Sequence, residues 1–227
     1  MKRGIFIILV LIAALVLSPI PVRATAGNVF LRNRTAGRKV ALTFDDGPHP
    51  IYTPRILEIL EEFEVTATFF VVGQNVENYP DAFRAIVDSG CEIGNHTYTH
   101  KNVGHMSEDE IRREIEATEA AVAKMCDKRL SLLRPPEGSL GAPLERVSLD
   151  KGYDVILWSI DTLDWAHTPS DRIVSKVLGN LCGGDIILMH DYVSGNNTTC
   201  DALRKMIPEL KSRGYEFVTV SELICGE

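Results

Sequence analysis

Val40-Ala41-Leu42-Thr43-Phe44-Asp45-Asp46-Gly47-Pro48 is an apolar run that ends in two adjacent carboxylates and then a Gly-Pro breaker. Val40, Leu42 and Phe44 alternate along it, which is how a buried strand delivers acids to its C-terminal edge. Adjacent side chains on a strand point to opposite faces. The twist into a turn relaxes that rule at a strand end, so Asp45 and Asp46 can converge on one site and serve different roles there. Taken alone, Asp-Asp-Gly-Pro reads as a polar turn. Four later stretches argue for more.

Outward from this run, strand-like and helix-like stretches alternate to the end of the chain with no linker or low-complexity break. The expected strands are 40–44, 68–72, 91–94, 130–133, 155–160, 186–189 and 216–220, short and β-branched as strands covered on both faces are. Between them, Thr53-Pro54 and Thr168-Pro169 predict helix starts with a threonine cap. Ser107 to Glu110 reads as a capping box, and Gly90, Gly152 and Gly214 stand where left-handed helix ends want glycine. About seven β/α repeats predict a parallel sheet closed, or nearly closed, into a barrel, with its active site at the C-terminal strand ends. The polar residues obey that geometry: Asp45 and Asp46 end the first strand, and His96 and His100 follow the third. Arg134 follows the fourth, Asp161, Asp164 and Trp165 the fifth, and His190 and Asp191 end the sixth.

At 227 residues, 45% hydrophobic and 24% charged, the chain suits one globular domain and excludes a disordered or collagen-like one. Lys2 and Arg3 precede an apolar run over 5–17, then prolines, then Ala24-Thr25-Ala26. Such a run falls short of the ~20 residues a bilayer requires, so residues 1–26 read as a secretory signal peptide, with an uncleaved anchor as the alternative. Residues 27–38 read as a lead-in and 39–227 as the catalytic domain of a secreted or cell-surface protein of bacterial type. Cleavage would remove Lys2, Arg3 and Arg23 and no acid, taking the formal charge from −7 to −10. So acidic a chain is a poor partner for nucleic acid or an anionic membrane, and a neutral substrate suits it better. Membrane contact is expected only through a retained anchor, and the protein is expected to be a monomer. The five cysteines show no C-x-x-C spacing, which removes a thiolate zinc site and predicts no essential disulfide framework. Asn33, Asn95 and the Asn196/Asn197 pair stand in Asn-x-Thr patterns, but a glycan on Asn95 would obstruct the site, which favours a bacterial export context.

His96-Thr97-Tyr98-Thr99-His100 spaces two imidazoles four apart, on one face if the segment is a helical turn. Two histidines and one carboxylate, with positions left open, form the ligand set of a catalytic zinc or similar divalent ion. Thr97 stands where the usual zinc-protease motif has its glutamate, so the base must come from elsewhere, and Asp45 and Asp46 supply one ligand and one base. These residues resemble the polysaccharide deacetylases of carbohydrate esterase family 4, the NodB-homology family. The resemblance covers residues 39–224 through five ordered motifs: Thr43 to Pro48, His96 to His100, Arg134-Pro135-Pro136-Glu137-Gly138, Asp161 to Trp165, and Leu188-Met189-His190.

The resemblance implies a distorted (β/α) barrel and metal-dependent removal of N-acetyl groups from an amino-sugar polymer. By the same analogy Asp46, His96 and His100 hold one divalent ion, zinc being the first expectation, and Asp45 takes the proton of the attacking water. Arg134 orients Asp45, His190 is the general acid, and Asp164 holds His190 charged. The backbone N–H of Glu137 serves the oxyanion, and Trp165 and Leu188 line the acetyl pocket. Glu137 departs from the family pattern, which more often carries an aromatic residue there. A carboxylate near the sugar would favour free amines or disfavour a lactyl acid. N-acetylglucosamine of peptidoglycan is the first expected substrate and chitin fragments the second. A xylan O-acetyl esterase and a non-catalytic carbohydrate-binding protein are the rivals. His49, His105 and His167 read as ordinary rim residues.

Overall fold

The computed structural model describes residues 28–193, 195 and 197–225. The expected signal peptide and Asn196 lie outside the described residues. The strands are β1 (Val29–Phe30), β2 (Lys39–Asp45), β3 (Thr68–Val71), β4 (Glu92–Asn95), β5 (Leu132–Leu133), β6 (Asp154–Ile156), β7 (Ile160–Asp161), β8 (Ile186–His190) and β9 (Glu216–Phe217). The α-helices are α1 (Tyr52–Glu62), α2 (Gly73–Asn78), α3 (Pro80–Asp88), α4 (Glu108–Ala123), α5 (Ala142–Lys151), α6 (Ser170–Asn180), α7 (Thr199–Ser212) and α8 (Val220–Cys225). None of the described helices is long and apolar enough to cross a membrane.

Every ladder between these strands is parallel. The strand order is β1-β6-β5-β4-β3-β2-β8-β7, with β9 added beside β2. The strand expected over 155–160 is split: β6 pairs with β1 and β5, and β7 with β8. Only residues 157–159 separate two strands that stand toward opposite ends of the row, so the sheet must curl almost into a ring. The result is the distorted barrel anticipated above, with nine short strands instead of about seven. One extra strand comes from the split and one from β1, in the stretch read as a lead-in. The seventh expected strand is shorter than 216–220, because Val220 already begins α8.

A period of two sorts the side chains of each strand between two layers. Val40, Leu42 and Phe44 of β2, Phe69 and Val71 of β3, and Ile187 and Met189 of β8 join the large core beneath the helices. Phe44 and Phe69 stack there, with ring centroids 4.9 Å apart. Ala41, Phe70, Leu132, Ile156 and Ile186 form a second core on the inner face, joined by Val218, Val220 and Leu223 from the C-terminal segment. That inner space is narrow: a Cβ on Gly94 would lie 2.4 Å from the Phe70 ring, so only glycine fits. Thr43 and Asp45 follow Ala41 on the inner face, as Leu188 and His190 follow Ile186. The pattern that makes β2 a strand thus also lifts Asp45 to the mouth of the barrel.

The capping box at Ser107 and Glu110 forms as expected, and Gly90, Gly152 and Gly214 take positive φ. The two threonine caps do not. Helix α1 begins two residues earlier, with Ile51 at its cap, and the Thr53 hydroxyl is buried between the His49 amide and Asp191. At α6 the cap is Pro169, while the Thr168 carbonyl accepts a hydrogen bond from Thr198. At Thr53 a long-range partner outcompetes the local capping bond. All five cysteines are free. Asn95 is fully buried and donates to the Ile115 carbonyl, so it is no glycan acceptor.

Candidate active site

Asp45 and His190 are register partners on the adjacent strands β2 and β8, so their side chains rise side by side on the inner face. Asp45 is 3% exposed, and its Oδ1 accepts a 2.7 Å bond from Arg134 Nη1. The same guanidinium donates to Thr43 Oγ1 and to the carbonyls of Ile156 and Leu157, and lies 4.1 Å from the Phe70 ring centroid. Arg134 is therefore seated where the split between β6 and β7 leaves carbonyls without ladder partners. Its charge opposite Asp45 keeps that carboxylate from being a buried lone anion.

Asp46 leaves the strand with φ +74, in the left-handed region that aspartate enters more readily than most residues. The reversal swings its carboxylate back toward Asp45, and Asn75 Nδ2 fixes the turn through the Asp46 carbonyl at 2.7 Å. The segment from His96 to His100 is not a helical turn. It is a loop in which Thr97 and His100 have φ +64 and +57, and it brings the two rings to a centroid separation of 4.9 Å. Glu114 of α4 holds that loop, its carboxylate accepting from the Tyr98 and Thr99 amides at 2.9 and 2.7 Å and from the Thr99 hydroxyl at 2.9 Å.

Asp46 Oδ1 stands 3.3 Å from His96 Nε2 and 3.0 Å from His100 Nε2. The three form the one His/Cys/Asp/Glu group among the described residues with metal-ligand spacing, their ligand atoms lying within 4.8 Å of one another. His96 Nδ1 is 2.7 Å from the Arg134 carbonyl, which can only accept, so the proton sits on Nδ1 and Nε2 turns a lone pair toward Asp46. Asp46 Oδ1 is itself buried with no hydrogen-bond donor. With both imidazoles neutral and Nε2 unprotonated, their lone pairs and the Asp46 carboxylate converge on one point, which fits a cation. With no cation there, burial works to raise the Asp46 pKa, but hydrogen bonds and charge from His100 and His96 in their protonated form outweigh it and hold the carboxyl below its ordinary range.

Opposite this group, His190 Nδ1 lies 2.8 Å from Asp164 Oδ1. Asp164 is 1% exposed and accepts also from the His190 amide, the Thr199 hydroxyl and the Trp165 amide. Burial alone would lower the His190 pKa. The hydrogen bond and charge of Asp164, with Asp45 and Asp46 behind them, instead push it up to about 9.

Eight of the ten residues singled out in the sequence line one cavity of about 550 Å³: Asp45, Asp46, His96, His100, Glu137, Trp165, Leu188 and His190. The other two, Arg134 and Asp164, are buried behind Asp45 and His190. Asp191 does not reach the cavity. It packs behind the Gly47 turn, accepts from Thr53, and is raised by burial to about 7. Glu137 has φ +58 at the cavity rim, and among the described residues its backbone N–H is left without a hydrogen bond, as an oxyanion donor must be. The sequence reading passed over Trp158, which lines the cavity, and over Glu114 and Asn75, which hold its loops. Glu114 lies beside the buried stripe of α4, three residues from Ile111 and four from Thr118, and an acid at that place is the signal that could have found it. A larger groove of about 880 Å³ runs along α1 and α3 past Leu57, Glu58, Glu61 and Asp88, far from this chemistry and lined by no histidine.

The sequence profile of the polysaccharide deacetylase family matches residues 32–156. A peptidoglycan-N-acetylglucosamine deacetylase of Bacillus cereus is 39% identical over 186 residues, covering 82% of this chain and 68% of that protein. A chitooligosaccharide deacetylase of a Bradyrhizobium species is 37% identical, over 82% of this chain and 90% of that one. The crystal structure of the Bc1960 peptidoglycan N-acetylglucosamine deacetylase, bound to an N-hydroxybenzamide, superposes with a TM-score of 0.84 at 36% identity, covering 87% of this chain and 92% of that one. The profile ends at Ile156, and the matches to the relatives, at 82% to 87% of this chain, are longer than the profile's. With a family profile over more than half of the chain, relatives above 30% identity and a matching fold, the chain belongs to the polysaccharide deacetylase family.

Proposed function

We propose that the protein is an exported hydrolase that removes N-acetyl groups from amino-sugar polymers, N-acetylglucosamine of peptidoglycan first. The observation that carries the reading is one cavity with a carboxylate base and a charged histidine acid in register on neighbouring strands, beside a cluster suited to a cation. Asp46, His96 and His100 would hold one divalent ion, zinc first, which supplies Lewis-acid activation of water and of the acetyl carbonyl when bound.

The remaining steps belong to side chains. Asp45 takes a proton from the attacking water, and Arg134 aims Asp45 through the bond to its Oδ1. The carbonyl oxygen gains negative charge as water adds, and the free N–H of Glu137 would donate a hydrogen bond to it; one such donor is worth about 3 kcal/mol. The amine leaves only as a protonated group. His190, charged at neutral pH because of Asp164, delivers that proton from Nε2, since Nδ1 is committed to Asp164. Trp165 and Leu188 form the apolar wall for the acetyl methyl group.

Peptidoglycan is favoured over chitin fragments by the similarity to the Bacillus cereus enzyme, and the Bradyrhizobium relative supports chitooligosaccharides as the second substrate. A xylan O-acetyl esterase would need the same base and ion and depend less on His190, because an alkoxide leaves more easily than an unprotonated amine. A binding module has no use for the Asp164–His190 pair. The test is to incubate the metal-loaded protein with peptidoglycan and with chitooligosaccharides and follow acetyl loss by mass spectrometry. Acetyl loss from peptidoglycan is expected. Full activity of His190→Ala on every acetamide tried would end the N-deacetylase reading.

A further inference from the structure

The cavity wall carries several charges, and all but two have an opposite partner. Asp45 faces Arg134, Asp46 faces His96 and His100, and His190 faces Asp164. Asp161 Oδ1 accepts from the Leu163 amide, and the residue is half-buried. Glu137 differs from all of these: it is exposed, and among the described residues its side chain meets only a neutral donor, Asn102 Nδ2, through Oε2. Asn102 is itself fixed, its Oδ1 accepting from the Gly104 amide at 2.8 Å and from the Ser139 hydroxyl at 3.1 Å. The carboxylate is thus held at the rim by a rigid neutral bracket, with Oε1 open to a solute.

We infer that Glu137 sets the charge preference of the enzyme, favouring sugar chains that carry a free ammonium beside the acetamide under attack and disfavouring chains that carry a carboxylate there. The inference deepens the deacetylase reading and rests on it. An uncompensated anion at a fixed rim position attracts an ammonium and repels an acid, and it does so at encounter as well as in the bound state. Because the group is exposed, the effect is modest and is screened by salt. Each acetyl group removed exposes an amine, so a chain already worked upon becomes the better substrate for the next round.

The experiment compares kcat/KM for three tetrasaccharides: fully acetylated chitotetraose, the same tetramer with one free amine, and a tetramer in which one sugar bears a free lactyl acid. At low ionic strength and a pH where the amine is charged, the wild-type protein should prefer the amine tetramer over the neutral one by about fivefold, the upper end for an exposed ion pair. The acid tetramer should rank last. Added salt should shrink both gaps. Glu137→Gln keeps an acceptor for Asn102 and should bring the amine-to-neutral ratio to about 1, and Glu137→Lys should reverse the order. A wild-type ratio near 1, or a ratio unchanged in Glu137→Gln, overturns the inference while leaving deacetylation intact. Failure of the metal-loaded wild-type protein to release acetate from any tetramer overturns the deacetylase reading itself, and this inference with it.

Discussion

Asp164 and Asp46 are both carboxylates beside a histidine in one site, and their surroundings are opposite. Asp164 accepts from four donors: the His190 ring, the His190 amide, the Thr199 hydroxyl and the Trp165 amide. Asp46 turns Oδ1 toward two imidazole nitrogens and receives no donor at that oxygen. The acid half is finished by the chain itself, and its product is a histidine held protonated. The other half is finished only by a cation, and its ligands are correspondingly more open, with the His100 and Asp46 side chains 37% and 29% exposed.

The largest break in this comparison comes from the unfinished half. Chelation, or Asp46→Ala, should abolish acetate release from amides and esters alike, by at least about a thousandfold. Added divalent ion should restore the chelated wild-type protein and not the variant, with bound metal read by elemental analysis. Next is the finished half: His190→Ala should cost about 10²–10⁴ in kcat on an acetamide, far less on an acetate ester, and leave bound metal unchanged.

Asp164→Asn sharpens the contrast through pH. A general acid works only while protonated, so with His190 as the proposed acid its pKa should set the alkaline limb of the rate profile. Removing the anion that raises it from 6.5 to about 9 should move that limb to lower pH, with the acidic limb, set by the base, left in place. A bound cation repels the imidazolium, so the wild-type limb should itself lie below 9. The smallest effect is expected at Glu114→Gln, which weakens the anchor of the histidine loop. Ion affinity should fall by about tenfold, and kcat should recover at saturating metal. A lowered kcat that no metal concentration restores would place Glu114 in the chemistry instead of behind the ligands.

Much of this site is written locally. A period-two apolar run with acids at its end sets both the face and the height of Asp45, and the five motifs occur at successive strand ends, so the topology assembles them. What resists reading from sequence is set by distant partners. The strand over 155–160 is continuous by composition, yet it divides because its two halves belong to opposite ends of a curling sheet. The two histidines meet through left-handed residues at Thr97 and His100, not through helical spacing. Thr53 looks like a cap and is taken by Asp191, and Glu114, an acid at the edge of an apolar stripe, finds its partners in a loop 15 and 16 residues away.

Arg134 joins two concerns that most enzymes keep apart. One guanidinium both aims Asp45 and satisfies the carbonyls at the seam where the ring of strands would otherwise gape. Retuning the base by altering this cation would loosen the wall on which the base stands, so turnover and melting temperature should move together at this position. Adjustments to catalytic pH are therefore more accessible through the acid, whose partners Asp164 and Thr199 lie on the far side of the cavity from that seam's cation.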